Sequence, residues 1–132
     1  MRAIALIAAL YLIHAALASD PAPAFKTVTW TGWFSDFDCA SSTSAAEKLK
    51  PTNPVCAEAC IRKGVPPVFI SEQAKAVFKV KDYPSVIEDL GYHIEVEGRV
   101  DEQANTIQIL SVKRMEYVGA ACARPRKPAA GK

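Results

Sequence analysis

The sequence predicts a mainly β domain: a small five-stranded barrel, closed or nearly so, with a helical insertion after the first strand. Two observations predict it. Segments of apolar–polar alternation recur between turn-forming clusters, and two of those segments carry a glycine at mid-length. A glycine inside a strand gains no packing, so it marks a bulge or bend, and bent strands curl a sheet toward closure, which removes exposed edges. A two-layer α+β sheet is the alternative arrangement of the same segments.

The first strand runs from Lys26 to Phe37. Val28, Trp30 and Phe34 share one face with Gly32 between them, and Thr27, Thr29, Thr31 and Trp33 share the other. Ser41 to Ser44 reads as a turn, and Ser44-Ala-Ala-Glu47 has capping-box spacing for a single helical turn ended by Pro51. Asn53 is an N-cap, Pro54 a first helical residue and Gly64 a C-terminal stop, which predicts a helix over 54–63. Two short strands follow, Val68–Ile70 and Ala76–Val80, joined by the polar segment Ser71 to Lys75. Ser85 to Leu90 is a short helix halted by Gly91. His93 to Val100 alternates, with Ile94, Val96 and Val100 inward and His93, Glu95, Glu97 and Arg99 outward around Gly98. After a turn over Asp101 to Asn105, Thr106 to Met115 is the returning strand. These strands and the insertion specify an OB-like barrel over residues 26–118.

The two ends are of different composition. Arg2 is the only charged side chain before Asp20, and an apolar run from Ala3 to Ile13 leads into Ala16-Leu17-Ala18. That is the pattern of a secretory signal peptide over 1–18, cut near Ala18, which predicts a periplasmic or secreted protein. A membrane-spanning helix needs about 20 apolar residues, more than this run supplies. Residues 19–25 are a linker, and 119–132 an Ala/Pro/Gly-rich basic tail. Residues 19–123 hold 11 basic and 14 acidic side chains, a net of −3, which with export argues against a nucleic-acid partner. The tail's Arg124, Arg126, Lys127 and Lys132 suit weak contact with an anionic surface. With both ends set aside, only about 90 residues remain to build a core, few enough that covalent staples would add materially to stability.

Two resemblances bear on the fold. Val96-Glu-Gly-Arg-Val-Asp101 followed by Thr106-Ile-Gln-Ile109 resembles the last hairpin of bacterial periplasmic OB-fold families. Thr31-Gly-Trp-Phe-Ser-Asp36 through Cys39, then Cys56-Ala-Glu-Ala-Cys60 and Gly64, resembles a family of small exported bacterial proteins of unknown function, over roughly residues 26–115. The resemblance implies the fold and no activity. In that pattern a His lies between the first Cys and the Cys pair, whereas here the segment reads Ala40-Ser-Ser-Thr-Ser44.

The four cysteines are the first candidates for chemistry. Cys56 and Cys60 lie four apart on the predicted helix and project from one face, so each seeks a partner elsewhere. Cys39 and Cys122 are the candidates; Cys39–Cys60 with Cys56–Cys122 is the favoured pairing among three connectivities. The competing use is a metal site of Cys39, Cys56 and Cys60, with His93 or Cys122 as fourth ligand. No G-x-S-x-G, H-E-x-x-H, phosphate loop or calcium loop occurs, and Asp36 with Asp38 reads as turn-capping rather than a catalytic pair. The expectation is therefore a non-enzymatic binding or envelope module needing no cofactor, with a small ligand or envelope protein as partner. Its expected contact surface is the outward face at Trp33, His93, Glu95 and Arg99.

Overall fold

The computed structural model describes residues 24–42 and 50–119. Its strands are β1 (Lys26–Asp36), β2 (Pro67–Ser71), β3 (Ala76–Lys81), β4 (Tyr92–Asp101) and β5 (Thr106–Tyr117). Helices α1 (Phe37–Ser42) and α2 (Pro54–Arg62) lie between β1 and β2, and α3 (Val86–Asp89) lies between β3 and β4. The strands close in the order β1-β2-β3-β5-β4, with β3–β5 the single parallel pair. The five-stranded barrel with a helical insertion is thus observed, and closure excludes the two-layer alternative.

Closure depends on β1 changing partner. Its first half pairs with β4, from Lys26 opposite Val100 to Gly32 opposite Ile94. Its second half pairs with β2, from Gly32 opposite Ser71 to Asp36 opposite Pro67. Gly32 belongs to both ladders, and a Cβ there would sit 1.8 Å from the Ile70 carbonyl oxygen. The backbones approach so closely that no side chain fits. Gly98 marks the second bend: the β4–β5 register shifts between Glu97 and Gly98.

Alternation then sorts the side chains. Val28, Phe34, Phe69, Phe78, Ile94, Val96, Val100, Ile107 and Ile109 form the buried core, joined by Ala57 of α2 and by Val86 and Leu90 around α3. A second, smaller cluster lies apart from it, with Ala40 of α1 on Val68 and Ile70 of β2, and with Trp33 and Val77 packed against them. Asp89, 4% exposed, is held by Arg114 Nε at 2.6 Å and the Tyr83 hydroxyl at 2.7 Å. Burial, then the bonded Asp89 carboxylate, push the Tyr83 phenol up to about 12, so it serves as a neutral donor.

Helix α2 forms as its sequence predicts. The Asn53 side chain accepts from the Val55 and Cys56 amides, and Pro54 takes the first helical position. At the other end the Gly64 amide donates to the Ile61 carbonyl and the Val65 amide to that of Cys60, a Schellman closure with Gly64 at φ 97°. The leader, most of the linker, the Ser44–Glu47 capping box and the tail from residue 120, Cys122 included, lie outside the described residues.

The two glycines separate space from backbone angle. Gly32→Ala should cost at least about 2 kcal/mol, because one of two ladders must open. Gly64→Ala meets nothing within 4 Å and should cost only about 1 kcal/mol, from the left-handed backbone alone. Chemical denaturation of the two variants compares them directly.

Candidate functional site

The site is built at the end of β1. Asp36, the strand's last residue, is fully buried, and one of its carboxylate oxygens, Oδ1, accepts the Cys39 amide at 3.0 Å. It therefore caps α1 and stands three residues before Cys39, the distance at which a cap reaches a helical amide. Cys39 belongs to this helix, because that cap turns the chain at the end of β1. The Phe37 amide donates to the Pro66 carbonyl at 3.0 Å, fastening the start of α1 to the segment leaving α2. That segment carries the Schellman closure, so Cys60 is fixed beside Asp36 by the same few hydrogen bonds.

The result is a cluster of Asp36, Cys39 and Cys60 whose ligand atoms lie within 4.8 Å of one another. The second carboxylate oxygen, Oδ2, is buried and has no hydrogen-bond partner. Burial first, then the neighbouring Asp36 carboxylate, push the Cys39 thiol up to about 12. Burial and the Asp36 and Asp38 carboxylates raise the Cys60 thiol as well, with Lys63 opposing them. A buried acid with an unused oxygen beside two thiols is a poor place for further negative charge and a good one for a cation.

Of the expected metal ligands, Cys39 and Cys60 come together. Cys56, exposed one helical turn earlier, lies outside the close cluster, and His93 is not part of it either. Asp36 takes the place expected for them. The spacing Asp36-x-x-Cys39 carried the signal, since a capping acid reaches the third residue of its helix. No disulfide joins Cys39, Cys56 and Cys60 among the described residues, although the favoured Cys39–Cys60 pairing is the one the fold brings close.

The expected contact surface does not assemble as a free patch. Trp33 packs against the Ala40–Val68–Ile70 cluster, and its ring stacks on His93 at 5.2 Å between centroids. His93 is not the solvated side chain that outward alternation suggested: its Nε2 donates to Glu72 Oε2 at 2.7 Å. Thr31 Oγ1 donates to the same oxygen at 2.5 Å, and Gln73 Nε2 donates to Thr31 Oγ1 at 2.8 Å. The β2–β3 turn is thereby clasped to β1 and β4. Glu95 lies 4.0 Å from Lys113, and Arg99 stands six residues beyond His93, about 20 Å along the strand. The Glu72 carboxyl is raised by burial, but the hydrogen bonds from Thr31 and His93 outweigh this and hold it below its ordinary value.

Comparison with family models, curated proteins and solved structures found no match for the chain.

Two variants test this account of the outer face. Trp33→Ala should cost about 3 kcal/mol, the loss expected of a packed aromatic, measured by denaturation. For Glu72, a lowered native pKa means that its stabilisation is fully present above its unfolded value near 4.5 and is lost as pH falls through the native value. Glu72→Gln should therefore flatten the fall in melting temperature between about pH 6 and pH 3.

Proposed function

We propose that this is an exported, non-enzymatic OB-like module that holds one soft or borderline divalent cation, zinc being the reference case, between Asp36, Cys39 and Cys60. The observation that carries the proposal is the buried Asp36 carboxylate, with one oxygen spent on capping α1 and the other unpartnered, set within 4.8 Å of two thiols. Thiolate and carboxylate are both zinc ligands, at about 2.0–2.3 Å, which spaces ligand atoms of a tetrahedral ion about 3.5–4 Å apart. The three groups need close by about 1.3 Å at most, within the reach of side-chain rotation. Binding replaces the thiol protons by the ion and gives Oδ2 a partner.

A second reading rests on the same proximity: Cys39 and Cys60 form a disulfide that staples α1 to α2, within a module whose ligand is a small molecule or envelope protein. Intact mass of the full mature chain, native and denatured, with and without alkylation, separates the two. The metal reading expects one zinc retained per chain in the native spectrum and alkylatable Cys39 and Cys60 after denaturation. Cys60→Ser and Asp36→Asn should each weaken zinc binding by more than about tenfold. A chain lighter by two hydrogens, with Cys39 and Cys60 refractory to alkylation and no ion retained, would establish the staple instead.

A further inference from the structure

We infer that Cys56 is the ligand through which the ion reaches and leaves the Asp36–Cys39–Cys60 cluster, so that the site exchanges its ion with an external acceptor instead of enclosing it permanently. The inference rests on the metal reading above.

The four groups are graded in depth. Asp36 is 0% exposed, Cys39 and Cys60 are half-buried, and Cys56 is exposed. Cys56 and Cys60 stand one turn apart on α2, where side chains at this spacing lie about 5–6 Å from each other on one face. A cation entering from solvent meets the exposed Cys56 before the half-buried Cys39 and Cys60. Helix α2 is capped at both ends, by Asn53 and by the Gly64 closure, so Cys56 and Cys60 keep this geometry as ligands change.

The exchange step balances without redox chemistry. The Cys56 thiol gives its proton to water and its sulfur bonds to the ion, while the bond from the ion to the Asp36 carboxylate breaks. The ion, held now by three thiolates, has moved one ligand outward and presents an open position to an acceptor ligand. As the acceptor takes it, the metal–sulfur bonds break and the thiolates recover protons from water. The metal keeps its oxidation state throughout.

The test loads the full mature chain with one equivalent of zinc and follows its transfer to excess 4-(2-pyridylazo)resorcinol by stopped-flow absorbance, per ion loaded. The expected result is transfer at least tenfold slower for Cys56→Ser than for the native chain, with Cys60→Ser failing to load. Transfer from Cys56→Ser at the native rate would overturn the inference while leaving the metal reading intact. A Cys56→Ser chain that loads no ion would also overturn it, by making Cys56 a resident ligand, as would a mass map showing Cys56 bonded to Cys122. A native chain that takes up no zinc would overturn the metal reading itself, and this inference with it.

Discussion

The structure depends on one close approach, the backbone of β1 against that of β2 at Gly32. A single strand of eleven residues serves two neighbours, β4 over its first half and β2 over its second, and the exchange happens where no Cβ intervenes. Were the strand to stay with β4 throughout, the β2–β3 hairpin would be held only through the β3–β5 pair, the barrel would not close and the core around Phe34, Phe69 and Phe78 would lie open. The switch also sets the phase of the second half of β1. Phe34 falls inside the barrel, Trp33 outside under α1, and Asp36 at the rim where the helices begin.

That rim concentrates the polar obligations of the fold. Asp36 caps α1, the Phe37 amide holds the Pro66 carbonyl, and the closure of α2 runs through the Cys60 carbonyl. Each of these bonds has a structural purpose, yet together they bring two thiols to a carboxylate that has one oxygen to spare. Removal of a charge from water costs several kcal/mol unless something compensates it. The rest of the barrel supplies compensation where it buries acids, as Arg114 and Tyr83 do for Asp89. For Oδ2 of Asp36 the described residues supply none.

Much of this architecture was legible in the sequence because it is written in local rules. Alternation located β1 and β4, short apolar runs on either side of a polar turn located β2 and β3, the mid-strand glycines located the bends, and Asn53, Pro54 and Gly64 delimited α2. Less legible was whatever depended on two distant segments meeting. Outward alternation assigned His93 correctly to the outer face, but nothing local to β4 shows that the β2–β3 turn folds back and brings Glu72 to its imidazole. The i, i+4 spacing of Cys56 and Cys60 suggested that both serve one centre. Only the crossing of α2 with the end of β1 shows that Cys60 faces Asp36 and Cys39 while Cys56 remains at the surface. The sequence marks Asp36 as a turn-capping acid, which it is; the burial of its second oxygen depends on the barrel.

The choice between an ion and a disulfide at Cys39 and Cys60 turns on that oxygen. A disulfide would join the two sulfurs and constrain the insertion, but it offers neither a positive charge nor a proton donor to the carboxylate beside it. Asp36 would then remain buried with half its acceptor capacity unused, a standing cost to the stapled fold. A divalent cation answers the carboxylate and both sulfurs at once, because the charge that makes thiolates unfavourable here is the charge it neutralises. The same carboxylate that, after burial, raises both thiols would become a ligand in an ion-loaded protein. On electrostatic grounds the rim of this barrel is better completed by a metal ion than by a covalent bond.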